Sequence, residues 1–252
     1  MKVEQLPSVI EMASYTLFVP QCALGVFFEY RDFKCWAESR EEYKNVPNPI
    51  IPSLKWFFSA IITVAIFSVG SANFPVKSNW DETFIESSSV GWRIIYPALS
   101  WGIQRYFYYT AFLFQTGTMV ACGFGYDGRA EVRLTPSSVD HKWDKFIGVY
   151  IWEVETATNS NTFLRNWNYR VHVWIKYYCA ERIVEEGKRP NSWQYLAIFM
   201  TSAFWHGFYP GFYVAFTCIT LTTFAHKDVY GMWYLFRAIP RNIRIPICIL
   251  LN

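Results

Sequence analysis

Charge is scarce in this chain. Lys, Arg, Asp and Glu together make 17% of 252 residues, with a formal net charge of +3, against about 25% in an average soluble protein. A balance this small and this mixed excludes the basic footprint of a nucleic-acid binder. Metal-ligand spacing is missing too. His141, His172, His206 and His226 form neither HxxxH nor HExxH, so no metal site is expected. No CxxC pair occurs among Cys22, Cys35, Cys122, Cys179, Cys218 and Cys248, and no secretory signal peptide is expected before them. They read as free, mostly buried thiols. Gly123, Gly125 and Gly128 make no phosphate loop and read as a flexible turn. No GxSxG elbow is present, and no carboxylate pair stands out in an apolar setting. Without an internal repeat, low-complexity tract or linker, residues 1–252 read as one membrane-embedded domain.

What the chain has in abundance is apolar and aromatic side chains, 52% and 20% of residues, although mean hydropathy is only +0.09. Aromatic content of this order belongs to interfacial belts or a large buried core. The organising stretch is Trp193 to Ala225, which holds no Asp, Glu, Lys or Arg. It exceeds the roughly 20 apolar residues that cross a bilayer.

Other apolar stretches precede it. Leu6 to Phe28 carries one charge, Glu11, and is interrupted by Pro20. It reads as a span or as a broken, re-entrant segment. Ile50 to Gly70 carries only Lys55, near its start, where it can snorkel to the headgroups. Ile94 to Gly125 carries only Arg105. Arg31, Lys34, Arg40 and Lys44 make the 31–44 loop basic, and Arg129, Arg133, Lys142 and Lys145 do the same for 126–145. The 71–91 loop has Asp81, Glu82 and Glu86 against Lys77. The positive-inside rule then sets the first two in the cytosol and the third in the lumen. The fold class expected is all-α, a polytopic helical membrane bundle.

Phe163 to Glu186 reads as one amphipathic helix, closed by Gly187 and Pro190. Trp167, Val171, Trp174 and Tyr178 share its aromatic face, with Arg165, Asn168, His172 and Ile175 as the neighbouring stripe. Periodicity alone favours an interfacial helix with tryptophans at headgroup level.

His206 is the one ionisable residue of the organising stretch. Two readings stand. One is a histidine hydrogen-bonded inside a bundle or lining a water pocket. The other is a functional group, the default for an ionisable side chain at membrane depth. Gly207, Pro210 and Gly211 follow it and favour a broken helix, the means by which membrane proteins open cavities. A neutral imidazole there can act as a general base.

Three motifs carry a resemblance: Thr162-Phe-Leu-Arg-Asn-Trp-Asn168, Trp174-Ile-Lys, and Thr201-Ser-Ala-Phe-Trp-His-Gly-Phe-Tyr-Pro-Gly-Phe-Tyr213. Together they resemble the signature of the membrane-bound O-acyltransferase (MBOAT) family, in its glycerophospholipid branch and most of all the fungal broad-specificity lysophospholipid acyltransferases. Phe28-Glu-Tyr-Arg-Asp-Phe-Lys-Cys-Trp36 and Trp143-Asp-Lys-Phe-Ile-Gly-Val-Tyr-Ile-Trp-Glu-Val-Glu155 add support. The likeness runs over about residues 6–225. It implies an MBOAT-like bundle in the endoplasmic reticulum membrane, crossing it several times. The reaction implied is acyl transfer from acyl-CoA, as co-substrate, to the free hydroxyl of a lysophospholipid, with no cofactor and no metal. The catalytic histidine falls on His206 and the essential asparagine on Asn168. Trp167, Trp174, Trp205 and Arg165, beside them, are expected to touch substrate. Further spans are expected before the region matching Leu6, so the chain is read as a fragment or a shortened member.

Three positions depart from the branch. Gly25-Val26 stands where Gly-Pro is usual, Val171 where Thr is usual, and His172 where Asn is more usual. They bear on acceptor choice. The rival readings are a non-catalytic lipid-binding or scaffolding relic of the fold, a channel-like bundle, and an acyltransferase for another acceptor such as a protein or a sterol. The intact Asn168 and His206 favour an enzyme, and the phospholipid-type Trp-Asn context favours a lipid acceptor.

Overall fold

Helix is the only regular structure among the described residues, 6–24, 27–127 and 143–231 with 239, 240 and 242, of this computed structural model. The all-α expectation holds. Gly25, Val26, Gly128, Arg129, Arg133, Lys142 and most of the stretch from Trp233 to Asn252 lie outside the described residues. Contacts group the chain into two compact units, Met1–Val149 and Tyr150–Asn252.

In the first unit, the Leu6–Phe28 stretch is broken. Helix α1 (Val9–Thr16) starts on a Ser8/Glu11 capping box, and α2 (Val19–Leu24) follows after a two-residue break. Neither helix is long enough to cross a bilayer. The basic 31–44 stretch is largely helical: α3 (Tyr30–Ala37) and a 3-10 turn, Glu41–Asn45.

Helix α4 (Ile50–Asn73) has 24 residues, about 36 Å at 1.5 Å per residue. With the 3-10 turn after it, Ile50–Trp80 is the one helical stretch among the described residues that is long and apolar enough to cross a membrane. After α5 (Glu82–Ser87), α6 (Val90–Ala121) runs for 32 residues. It has the length of a span without the same sustained apolarity, since Arg93, Pro97 and Arg105 interrupt it.

Helices α4 and α6 pack antiparallel. Phe57 meets Phe114 and Phe67 meets Phe107, both with ring centroids 5.3 Å apart. Two glycines let the backbones close: a Cβ on Gly70 would come within 2.8 Å of Ile103, and one on Gly117 within 2.8 Å of Phe57. Midway, the Thr110 hydroxyl lies 3.0 Å from that of Thr63, which is buried.

The two ends of this pair differ. At one, the acidic connection folds over α6. Asn79 donates to Ser100 (3.0 Å) and the Tyr96 hydroxyl to the Pro75 carbonyl (3.1 Å). At the other lies an aromatic core of Phe28, Phe33, Tyr43, Met119, Phe124 and Phe146. Trp36 Nε1 donates to the Cys122 carbonyl (3.1 Å), and the Tyr43 hydroxyl to that of Phe124 (3.0 Å). The described parts of both basic loops therefore meet at one end, and the acidic loop caps the other. The Gly123–Gly125 turn, read from the sequence as flexible, is anchored by its middle residue. Gly123 has φ +77°, and Phe124 between the glycines is fully buried.

Lys145, at the end of the 126–145 loop, is buried: its side chain is 4% exposed, 2.7 Å from Glu42 Oε1 and 3.3 Å from Asp32 Oδ1. The five cysteines described are free, as expected, but Cys22 and Cys218 are exposed and the others only half-buried. Helical positions facing away from a partner helix leave even apolar side chains uncovered.

The second unit holds α7 (Ile151–Glu155), α8 (Ser160–Asn166), α9 (Tyr169–Ile175), a π turn (Lys176–Ala180) and α10 (Glu181–Ile183). Then come α11 (Ser192–His206) and α12 (Pro210–Gly231), a hairpin in which Tyr195 meets Phe224. Helix α8 packs on α12, and α11 on both α12 and the π turn. The single helix expected over 163–186 is not there. Asn168 sits in left-handed backbone, φ 44°, ψ 57°, and splits it. The supposed aromatic face is lost with the continuity: Val171 is buried while Tyr178 is 46% exposed.

Candidate active site

The charge-free stretch from Trp193 to Ala225 folds as two helices joined at the predicted break. Asn191 and Gln194 form a reciprocal capping box that starts α11. Gly207 ends it with φ +115° and ψ −171°, backbone that essentially only glycine adopts. Pro210 opens α12, where its missing N–H is not needed. Gly211 allows the Tyr209 ring to fold back, since a Cβ there would lie 2.7 Å from it.

His206 is therefore the last residue of α11, not a mid-helix residue. Its ring is seated against aromatic side chains: Trp205 at 4.7 Å, and Phe212 and Phe216 of α12 at 5.2 and 5.3 Å. Those contacts fix the plane of the imidazole. No hydrogen bond to the described residues occupies its nitrogens, and the residue is exposed. Phe208 and Tyr209, beyond Gly207, are 81% and 72% exposed. The arrangement is an oriented imidazole with open nitrogens, which general-base chemistry requires.

Asn168 stands between α8 and α9. Its carbonyl accepts the His172 N–H at 3.0 Å, but its amide does not cap α9. Asn is among the few non-glycine residues that accept left-handed backbone at modest cost. Trp167 stacks on Phe163 with centroids 5.8 Å apart and planes 10° from parallel. Arg165 is exposed on the last turn of α8, Trp174 is half-buried on α9, and Trp205 is 40% exposed. His172 lies one turn beyond Asn168. Burial pushes its pKa down to about 4, with Arg165 and Lys176 adding to the effect, so it is neutral at pH 7.

Helix α12 is the element the two candidates share. α8, which ends before Asn168, packs on it, and so does α11, which ends at His206. No hydrogen bond joins the two side chains. Two clefts of 480 and 350 Å³ lie in the first unit, beside Phe57 and Phe58 of α4 and between Trp36 and Cys122, and neither touches Asn168 or His206.

One residue of this region escaped the sequence reading. Asn166 is 1% exposed; its Nδ2 donates to the Thr162 carbonyl at 2.8 Å, and its backbone carbonyl accepts the Tyr150 N–H at 3.2 Å. Its neighbour in the motif had drawn the attention, and a buried amide looks like an exposed one in a sequence.

With these features in place, the class is clear. Residues 2–249 match the family model described as MBOAT, membrane-bound O-acyltransferase family, and the chain belongs to that family. Among curated relatives, it is 30% identical over 227 residues to the lysophospholipid acyltransferase of Saccharomyces cerevisiae, covering 83% of this chain and 36% of that one. It is 27% identical over 223 residues to the lysophospholipid acyltransferase of Schizosaccharomyces pombe, covering 85% and 42%. Against membrane-bound glycerophospholipid O-acyltransferase 1 of Mus musculus it is 25% identical over 252 residues, covering 92% and 48%. The chain thus spans less than half the length of these relatives.

Proposed function

We propose that the chain is the part of a lysophospholipid acyltransferase that carries its catalytic residues. The observation behind this is the seating of His206. The imidazole ends α11, is oriented by Phe212 and Phe216, and keeps its nitrogens free of hydrogen-bond partners among the described residues. The names of the relatives, which are lysophospholipid and glycerophospholipid acyltransferases, support the choice of acceptor.

In this reading, His206 takes the proton of the acceptor hydroxyl as that oxygen attacks the thioester carbonyl of acyl-CoA. The new C–O bond forms, the C–S bond breaks, and coenzyme A leaves as a thiolate that receives the proton. Asn168 orients a reactant or donates to the developing oxyanion. Trp167, Trp174, Trp205 and Arg165 contact substrate. The protein lies in the endoplasmic reticulum membrane as a single multi-pass domain, and both substrates are amphiphiles delivered from the bilayer.

His206→Ala, introduced at the native locus and assayed in microsomes, tests this. Lysophospholipid-dependent release of thiol from acyl-CoA is expected to disappear while acyl-CoA binding and membrane abundance persist. Release at the parental rate rules the mechanism out.

A further inference from the structure

We propose that the outer face of α4 holds a phospholipid with an acidic headgroup, one acyl chain in the cleft beside Phe57 and Phe58 and the phosphate on Lys55. The inference rests on α4 as a membrane span and is independent of the catalytic reading of His206. The cleft, 480 Å³ in volume, is lined by Ile51, Leu54, Lys55, Phe57, Phe58 and Ile61. Ile51, Leu54, Phe58 and Ile61 recur at helical spacing on one face, and each is more than half exposed. Phe57 closes the cleft towards α6, where its ring meets Phe114. From Ile51 to Ile61 the face runs about 15 Å. That is half of a hydrocarbon core about 30 Å thick, the depth of one leaflet.

The apolar lining suits an acyl chain, and Lys55 alone can select a headgroup. It is the only charged residue of α4 and is exposed. No described carboxylate forms an ion pair with it. A bare ammonium in hydrocarbon is costly, so the long stem must carry it back to the headgroups. Helical side chains lean towards the N-terminus, which in α4 is the end beside the aromatic core and the basic 31–44 stretch. Lys55 stands one turn below Ile51, about 6 Å, a distance that its stem spans. The positive-inside rule sets this end in the cytosol, and acidic lipids give the cytosolic leaflet its negative surface. A choline or ethanolamine headgroup brings its own cation, and no carboxylate among the lining residues can receive it. An acidic headgroup leaves the phosphate to the lysine.

The test uses the protein purified from its native locus, with native mass spectrometry of single-lipid binding. Phosphatidic acid is expected to bind about five-fold more tightly than phosphatidylcholine of the same chains, the effect of one lysine at an acidic surface. Lys55→Gln is expected to abolish that preference. Leu54→Trp, which fills the cleft, is expected to weaken both lipids. Glycerol 3-phosphate is expected not to displace phosphatidic acid, because it lacks the chain. A preference that survives Lys55→Gln, affinities unchanged in Leu54→Trp, or displacement by glycerol 3-phosphate overturns the proposal. A spin label on Ile61→Cys, in an otherwise cysteine-free protein in nanodiscs, identifies what covers the face. Oxygen is expected to reach it and a water-soluble nickel chelate is not. A label that neither reaches is covered by protein, which overturns the lipid as occupant. A label that the chelate reaches is in water; the reading of α4 as a span then fails, and this inference fails with it.

Discussion

Lys145 Nζ lies 2.7 Å from Glu42 Oε1 across a sequence separation of 103 residues. Burial alone would lower the pKa of this lysine. Asp32, Tyr43 and Glu42 outweigh it and hold the value above the ordinary one, so the amine stays charged. The pair joins the 31–44 stretch to the segment that follows α6. Removing one partner of a buried pair costs about 3–5 kcal/mol, because the other is left uncompensated. Lys145→Ala is therefore expected to lower the melting temperature of the purified protein sharply, and Glu42→Gln less so. An Ala variant melting with the parent would show that Asp32 and Glu42 are solvated without it.

His172 gives the fold a pH dependence of known sign. Its folded pKa, about 4, lies below its ordinary value of 6.5. The unfolded chain therefore binds a proton more readily, and stability falls as pH drops from 6.5 towards 4. Above 6.5 the contribution is constant. Melting curves between pH 8 and pH 5 are expected to slope downward on acidification, and to slope less in His172→Gln. Equal slopes would mean that the imidazole is solvated.

Asn168 offers a clean separation of backbone from amide. Glycine adopts left-handed backbone without strain, so Asn168→Gly keeps the turn and removes only the side chain. Loss of a donor to a developing oxyanion lowers kcat by about 10²–10³, and that fall is expected with membrane abundance unchanged. Asn168→Ala adds strain to the same loss. Parental turnover in the glycine variant would reduce Asn168 to a turn residue.

Gly207 is expected to resist substitution for a different reason. A Cβ there meets no neighbour, yet φ is +115°. Strain of this type costs about 1–3 kcal/mol, so Gly207→Ala is expected to destabilise the α11–α12 hairpin and to turn His206 away from Phe212 and Phe216. Paired melting and turnover measurements check it. An alanine variant that is both as stable and as active as the parent would show that the turn tolerates another backbone path.

The ends of the α4–α6 pair are expected to face opposite compartments, the aromatic end the cytosol and the 74–89 connection the lumen. Single cysteines at Ser39 and Ser88 in an otherwise cysteine-free protein report on this in sealed microsomes. An impermeant thiol reagent is expected to label the first only. Labelling of Ser88→Cys from outside would invert or abolish the assignment.

The helices were legible where composition changes abruptly. The apolar run from Ile50 gives α4 almost to its end, and the Gly207, Pro210 and Gly211 set marks the α11–α12 break, because glycine reaches backbone that other residues do not and proline fixes it. The break at Asn168 was hidden. One left-handed residue leaves the apolar spacing on either side intact, so periodicity reads through it. The burial of Lys145 was hidden too, because its partners are far away in sequence, and a loop lysine looks the same whether it meets water or a carboxylate. The family motifs named Asn168 and His206, but helix ends and aromatic contacts, which explain their orientation, emerge only from the fold.

The hydroxyl contact between Thr63 and Thr110 bears on assembly. In a bilayer, apolar helix surfaces gain nothing by facing one another instead of lipid, and close packing and polar contacts must select the pairing. Sliding α6 along α4 by one turn, about 5.4 Å, would break the hydroxyl contact and drive Ile103 and Phe57 away from the glycines that admit them. The pair thus acts as a ruler. It sets how far α6 slides along α4 and so holds the aromatic end and the acidic cap at a fixed separation.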